Sequence, residues 1–139
     1  MAGYSGTPLV KKLGIKPGHR VALLGAPEDF PAALDGLPAD VSLQSDLSGE
    51  PLDVIVLFAP DRAGLGRGFA RAARRLTPAG GLWVAWPKKA SGVPSDLTEP
   101  VVQAIGLEAG LVDNKVCAID DVWAGLRFVV RLHDRPGTR

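Results

Sequence analysis

Short apolar runs alternate with amphipathic stretches along most of the chain. Three of the runs are bounded by glycine, proline or polar residues and have no regular polar alternation, which is typical of buried parallel strands. They cover residues 21–24, 53–60 and 81–87, and residues 41–44 predict a further short strand. Two segments near the end, 112–119 and 126–132, are joined by residues 120–125 and predict an antiparallel hairpin.

The stretches between the strands have helical spacing. Thr7 and Pro8 form a typical helix start, and the amphipathic pattern predicts helices over residues 8–13, 28–34, 62–76 and 98–109. The third of these helices carries four arginines on its outer face: Arg67, Arg71, Arg74 and Arg75. A charged outer face is what solubility alone requires, so we take this face as solvated rather than as a nucleic-acid surface.

This order of elements predicts an α/β fold. Strands alternate with helices until the closing hairpin, so we expect a three-layer, Rossmann-like, mostly parallel sheet of about six strands with helices on both faces. The 139 residues correspond to one domain, which we place at 1–133, followed by a disordered tail at 134–139.

Composition restricts the functions that this domain can have. A single cysteine forms no intramolecular disulfide, and the spacing of cysteine and histidine residues predicts no metal site. A net charge of +1 does not indicate a nucleic-acid or membrane partner. No signal peptide or membrane-spanning run is visible, so we expect a cytoplasmic protein.

The strand at 81–87 ends where an α/β sheet places its ligands, beyond the carboxyl ends of the strands. Trp86 ends this run with an aromatic ring, and Lys88, Lys89 and Ser91 follow in a loop that leads to a helix. Two ammonium groups and a hydroxyl near a helix N-terminus predict an anion site for a phosphate or carboxylate. The alternative is a solvated loop that only caps the helix.

Two motifs resemble those of S-adenosylmethionine-dependent methyltransferases. Residues 13–21, Leu-Gly-Ile-Lys-Pro-Gly-His-Arg-Val, resemble the segment before the first strand of that fold. Residues 76–82, Leu-Thr-Pro-Ala-Gly-Gly-Leu, resemble the Leu-x-Pro-Gly-Gly start of its fifth strand. The segment between residues 41 and 53 is too short for two helices and an edge strand. The resemblance therefore implies a methyltransferase-like fold that lacks part of its middle.

Nearly the whole chain also resembles a family of small bacterial proteins grouped as a domain of unknown function. The resemblance rests on residues 3–9, 86–93 and 115–118. It implies a single small domain and no assigned activity.

The methyltransferase resemblance also implies where a cofactor would bind. The first strand of that family ends in an acidic residue and a glycine-rich turn; here Leu23 replaces the acid, Gly25 keeps the first glycine, and Pro27 and Asp29 occupy the later two. Asp46 is the candidate for holding the ribose hydroxyls at the end of the second strand, or else a turn former.

The family's Asn-Pro-Pro-Tyr motif is replaced by residues 58–61, Phe-Ala-Pro-Asp. We therefore expect no cofactor and assign no catalytic residue, with S-adenosylmethionine binding as the alternative.

Trp123 lies in the predicted hairpin turn, where an exposed tryptophan would mark a protein contact, unless it folds back on its own strands. Cys117 has no nearby histidine in sequence and is interpreted as an unreactive core thiol. The preferred interpretation is a non-catalytic binding or interaction module on a degenerate methyltransferase-like scaffold. The alternatives are a divergent S-adenosylmethionine-dependent methyltransferase and a homodimer or protein partner that binds through the hairpin.

Overall fold

Six strands form one mixed sheet in a computed structural model that describes residues 8–131 and residue 134. The strand order is β2-β1-β3-β4-β6-β5, with the first four strands parallel and β6 antiparallel to both its neighbours. The strands are β1 (Arg20–Leu24), β2 (Ser42–Gln44), β3 (Leu52–Phe58), β4 (Leu76–Pro87), β5 (Leu111–Ala118) and β6 (Trp123–Val130). The predicted Rossmann-like α/β architecture with a closing hairpin is confirmed.

The described residues also form three α-helices and two 3₁₀ turns, of which the first helix precedes β1 and the others lie between strands. The helices are α1 (Leu9–Leu13), α2 (Arg62–Ala73) and α3 (Glu99–Glu108), and the 3₁₀ turns are Phe30–Ala33 and Lys89–Ser91. Gly14 ends α1 in a left-handed conformation at φ 79°, and the side chain of Asp61 caps α2 by accepting from the Gly64 amide. Of the segments at the chain ends, Thr7 and most of the predicted tail at 134–139 lie outside the described residues.

The core has two parts, one on each face of the sheet. On one face α2 and α3 pack against β3, β4 and β6, with Phe69 and Phe128 in edge-to-face contact. On the other face α1 packs near Trp83, whose indole N–H donates to the Leu13 carbonyl at 3.0 Å. The strand β3 is central and almost fully buried, as its apolar sequence predicts.

The predicted helix over residues 28–34 is wrong. The segment forms only the 3₁₀ turn Phe30–Ala33, with i→i+3 bonds from the Phe30 amide to the Pro27 carbonyl and from the Leu34 amide to the Pro31 carbonyl. Two prolines lack the N–H that an α-helical ladder needs, and Gly36 at φ 77° turns the chain soon afterwards. The first crossover of the sheet therefore contains no α-helix.

Two other boundaries differ from prediction. The helix α2 ends at Ala73, and β4 begins at Leu76 instead of 81, because Leu76 already pairs with Leu52 before an irregularity in the ladder. The strand β6 begins at Trp123 instead of 126. Its turn is shorter because the Asp120 carboxylate accepts from the amides of Val122 and Trp123.

No helix among the described residues is long and apolar enough to cross a membrane.

Candidate functional site

An open cleft lies at the carboxyl ends of β1 and β2. Its volume is about 490 Å³, within the range of small-molecule sites. It is open because the first crossover has only a 3₁₀ turn where an α-helix would cover the sheet, which leaves Leu43 of β2 38% exposed. The residues that line it are Leu23, Gly25, Ala26, Pro27, Glu28, Pro31, Leu43, Gln44 and Ser45.

The polar groups of this cleft are mainly hydrogen-bond acceptors. Glu28 is exposed and contributes a carboxylate, and Gln44 contributes its carboxamide from the end of β2. The Gln44 amide nitrogen donates to the carbonyls of Asp46 and Ser48, both at 2.8 Å, and its oxygen accepts one hydrogen bond from Arg20, which leaves one acceptor position on that oxygen. None of the residues that line the cleft is a lysine or an arginine.

Two arginines hold the end of β2 and the loop that follows it, residues 45–51. Arg20 donates from Nη2 to the Gln44 Oε1 at 3.1 Å, while its Nε is buried with no partner. Arg75 donates from Nε to the Leu47 carbonyl at 3.0 Å and from Nη2 to the Gly49 carbonyl. These contacts hold Gln44 in place at the floor of the cleft.

Three aromatic rings fill the adjoining part of the sheet edge, beside the carboxyl ends of β1 and β3. Phe58 is at the centre, with Phe30 at 4.8 Å and Trp123 at 5.0 Å between ring centroids, both edge-to-face. Phe30 and Phe58 are buried and Trp123 is half-buried. Strand order reverses between β1 and β3, so this is the switch point at which open α/β sheets usually bind ligands.

Gly25 lies between the cleft and the aromatic rings. It has φ 67°, and an added Cβ would lie 3.2 Å from the Phe58 carbonyl oxygen. Glycine is needed here both for the left-handed backbone and for the close approach of β3. The structure therefore places the predicted Gly25 at the edge of the open cleft.

Asp46, the predicted ribose-binding residue, is not among the residues that line the cleft. Its carboxylate accepts from the Ser48 hydroxyl at 2.7 Å and from the Ser48 amide at 3.1 Å. These bonds, with a smaller contribution from Gln44, lower the pKa of Asp46 below its ordinary value. These hydrogen bonds are those of a turn former, the alternative considered from sequence, and ribose binding by Asp46 stays a prediction.

The predicted anion loop, with Lys88, Lys89 and Ser91, is also separate from the cleft. The Lys88 amide donates to the Val122 carbonyl at 2.8 Å, which attaches the loop to the hairpin. The Ser91 hydroxyl donates to the Lys88 carbonyl at 2.6 Å and accepts from the Val93 amide, so it stabilises the local turn. Anion binding by the two exposed or half-exposed lysines stays a prediction.

The same loop is anchored further along to the start of α2. The Ser95 hydroxyl donates to the Pro60 carbonyl at 2.7 Å, and the Asp96 carboxylate accepts from the Arg62 amide at 2.8 Å. Asp96 and Glu99 place negative charge near the N-terminus of α3, which opposes anion binding at that helix end.

Trp86 and Trp123 have different surroundings from those expected of ligand-stacking or exposed rings. Trp86 is only 5% exposed and packs in the core on the α2 and α3 face. Trp123 is the first residue of β6, not part of the turn, and packs against Phe58. A role of Trp123 in a partner contact stays a prediction.

The hairpin edge has features that oppose strand addition by a second copy. The ladder between β5 and β6 shifts register between Asp113 and Lys115, and β5 is an edge strand of the sheet. An irregular edge with an exposed lysine is a common protection against edge-to-edge pairing.

On the same strand, burial raises the pKa of the Cys117 thiol, while Lys12 and Lys115 lower it to a smaller extent.

Sequence reasoning missed Glu28 and Gln44 as groups of the cleft. Gln44 has a signal, since it is the last residue of the second predicted strand and so lies at the carboxyl edge. Glu28 has no such signal in the sequence, because its position in the cleft depends on the connection between β1 and β2 being a 3₁₀ turn. Among the described residues, no three histidine, cysteine, aspartate or glutamate side chains come together as a metal-binding group.

The solved structures that resemble this one include several methyltransferases. A SAM-dependent methyltransferase from Aquifex aeolicus is 17% identical, with 88% of each chain covered and a TM-score of 0.58. The magnesium protoporphyrin IX methyltransferase from Synechocystis, solved with bound SAH, is 14% identical, with 88% of this chain and 78% of that chain covered and a TM-score of 0.55.

A TehB-like SAM-dependent methyltransferase from Corynebacterium glutamicum is 11% identical, with 88% of this chain and 85% of that chain covered and a TM-score of 0.55. At these identities the likeness shows a methyltransferase-like fold. No family model and no curated protein sequence matches the chain. The resemblance to a family of small bacterial proteins therefore stays a prediction.

Proposed function

We propose that this protein is a binding module that takes the nucleoside part of an S-adenosyl compound in the cleft between β1 and β2, and that it does not transfer methyl groups. The observation that carries the proposal is the contrast at the sheet edge. The cleft is open, while the neighbouring switch point is occupied by the rings of Phe30, Phe58 and Trp123.

The chemistry of the cleft favours a nucleoside. Leu23, Leu43, Pro27 and Pro31 offer apolar walls against which a flat base can pack. The Glu28 carboxylate offers acceptors for ribose hydroxyls or for an amine. A volume of about 490 Å³ is large enough for an adenosine-sized ligand.

The same features disfavour the methionine part of the cofactor. The turn after β1 continues through Pro27 into a 3₁₀ turn, so the ordered amides of an α-helix N-terminus do not face the site. A carboxylate or phosphate on the ligand would also approach Glu28, with a like-charge cost. We therefore expect the nucleoside group to supply most of the affinity.

Calorimetric titration with adenosine, S-adenosylhomocysteine, S-adenosylmethionine and adenosine monophosphate tests this proposal. We expect saturable binding of adenosine, and an affinity for S-adenosylhomocysteine within about tenfold of that for adenosine. The affinity for adenosine monophosphate should be at least about tenfold weaker, because one ionic repulsion of about 1.4 kcal/mol has that effect. No binding of adenosine at millimolar concentration contradicts the proposal.

A pair of neighbouring variants locates the site. Glu28→Lys places a cation in the cleft and removes the acceptor, so we expect adenosine to bind at least about tenfold more weakly. Asp29→Lys is the matched control, because Asp29 is also exposed but does not line the cleft. An equal loss of adenosine affinity in both variants would mean that the ligand does not contact Glu28.

The second candidate is a divergent methyltransferase, and the fold likeness to enzymes of that class favours it. A methyltransferase must bind the methionine part of the cofactor as well as the nucleoside. S-adenosylhomocysteine binding more than about 100-fold tighter than adenosine, a difference of about 2.7 kcal/mol, would support the enzyme and overturn the non-catalytic assignment.

A further inference from the structure

The net charge of +1 conceals a strong separation of charge along the chain. Residues 62–95 contain seven of the sixteen lysines and arginines and none of the fifteen aspartates and glutamates. The remainder of the chain is correspondingly acidic. Overall charge balance is therefore a poor guide to what the segment 62–95 can bind.

Three arginines of this segment form one stripe on the outer face of α2. Arg67, Arg71 and Arg74 are all exposed and are separated by four and three residues, which places them on the same side of a helix. Their spacing along the axis is about 6 Å and about 4.5 Å at 1.5 Å per residue. Arg75 does not belong to the stripe, since it donates to the carbonyls of Leu47 and Gly49.

No acidic side chain of α2 offsets this stripe. The nearest carboxylate before it in sequence is Asp61, which is occupied as the helix cap at 2.7 Å from the Gly64 amide. Like charges at i, i+4 spacing repel and weaken a helix. Arg71, in the last turn of α2, and Arg74, its C-cap, are stabilised by the helix dipole, but Arg67 in the middle of the helix is not, so the dipole does not account for the whole stripe.

The rest of this helix face favours an ionic partner over an apolar one. The exposed residues between and beside the arginines are small, namely Ala63, Gly66 and Ala70. The large exposed apolar residues of the described chain, Leu43, Val93, Leu107 and Val116, all lie on other elements. Protein interfaces depend on buried aromatic or apolar anchors, which this face lacks, whereas a phosphate backbone needs only spaced guanidinium groups.

We propose that Arg67, Arg71 and Arg74 bind the sugar–phosphate backbone of a double-stranded nucleic acid without reading its sequence. A duplex is favoured over a single strand because the only aromatic side chain of α2, Phe69, is buried and cannot stack on unpaired bases. Arginine suits the role because its planar fork binds phosphate through two hydrogen bonds. The proposal is independent of the cleft and departs from the solvated face expected from sequence.

Fluorescence anisotropy with a labelled 20-base-pair DNA duplex and an RNA duplex of the same sequence tests the proposal on the full chain. Three phosphate contacts predict a slope of about −2.7 for log K against log salt, and so about a 40-fold loss of affinity between 50 and 200 mM salt. We expect two unrelated duplex sequences to bind equally well.

The triple variant R67A/R71A/R74A removes the stripe and replaces it with residues of higher helix propensity, so its fold should persist. We expect binding at least about tenfold weaker at 50 mM salt and a slope near zero. Replacement of the three arginines by lysine should keep most of the affinity. The matched control changes three exposed cations elsewhere, Lys11, Lys16 and Arg131, to alanine and should bind like the unaltered protein.

Three results would overturn the proposal. The first is that neither duplex binds at 50 mM salt. The second is that the triple variant binds a duplex as tightly as the unaltered protein does. The third is that the protein binds phosphatidylserine vesicles but neither duplex. The last result would assign the stripe to an anionic membrane surface.

Discussion

Two neighbouring regions of the carboxyl edge have opposite properties. Beside β1 and β3 the edge is closed by the rings of Phe30, Phe58 and Trp123, and beside β1 and β2 it is an open cleft floored by Leu43 and Gln44. Both regions adjoin the same residue, Gly25. A sheet edge can thus retain the shape of a ligand-binding fold while its usual binding position becomes core.

The difference has its origin in the connection between β1 and β2. A full α-helix there would cover β2, whereas the 3₁₀ turn is short enough that Phe30 reaches Phe58 while Leu43 stays uncovered. The same short connection therefore closes one region and opens the other. The comparison predicts that substitutions in the closed region affect stability and that substitutions in the open region affect binding.

The largest expected effect is that of Phe58→Ala, which removes the ring that contacts both other aromatic groups. We expect the free energy of unfolding to fall by about 3–5 kcal/mol, because a buried aromatic ring is lost and a cavity is left. Urea denaturation measures it. Leu43→Ala in the open cleft is the control and should lose less than about 1 kcal/mol, since Leu43 is partly exposed. Equal losses of unfolding free energy in the two variants would contradict the prediction that the closed region contributes more to stability than the open cleft does.

Most of the fold was predictable because it depends on continuous apolar runs and on periodic helices. The strand at 53–60 is an example, because its continuous apolar and β-branched residues have few alternatives to a buried strand. The hairpin at the end is another, because two strand-like segments separated by a short loop predict antiparallel pairing. The crossover was not predictable in the same way. A pattern of Phe30 followed by Pro31 and two alanines is compatible with an α-helix, and tertiary contact of Phe30 with Phe58 selects the shorter turn.

The candidate site was predictable only in part. Gly25 was predicted because glycine at a strand end indicates a tight turn, and the structure places it at the edge of the cleft, while its role in ligand binding stays a prediction. Asp46 and the loop around Lys88 were selected by residue type, but their hydrogen bonds stabilise local turns, which sequence alone does not distinguish from a site. The role of Gln44 depends on its bond from Arg20, 24 residues away in sequence.

Gly25→Ala tests the residue that the two regions share. Two costs combine: a left-handed backbone costs about 1–2 kcal/mol for a residue with a Cβ, and that Cβ would lie 3.2 Å from the Phe58 carbonyl oxygen. Gly36→Ala is the control, because it has φ 77° with open space around its Cβ. We expect Gly25→Ala to be the less stable of the two in urea denaturation and to bind adenosine more weakly. The same loss in both variants would mean that the contact with β3 is unimportant.

Gln44→Met tests the floor of the open cleft. It keeps the length of the side chain but loses the bonds to the loop carbonyls and to Arg20, so we expect a loss of about 1–2 kcal/mol in the free energy of unfolding. We expect a clear loss of adenosine affinity as well. Gln103→Met, on the surface of α3 with bonds to the Asp113 carboxylate only, is the control and should leave adenosine binding unchanged. Unchanged binding in Gln44→Met would place the ligand outside this cleft.

The smallest effect concerns Asp46, which lies next to the cleft in sequence but outside it in the structure. Its pKa is lowered in the folded protein by the hydrogen bonds from Ser48, so this interaction stabilises the fold above the ordinary pKa of 3.8 and is lost as pH falls through the lower folded value. Ser48→Ala should raise the pKa of Asp46 toward 3.8, measured by carboxyl NMR titration. Saturation with adenosine should shift this pKa by less than Ser48→Ala does, because the ligand contacts Gln44, whose contribution to the pKa of Asp46 is the smallest, and does not contact Asp46 itself. A ligand-dependent shift larger than that of Ser48→Ala would return the ribose-binding role to Asp46 and place the ligand at the loop after β2.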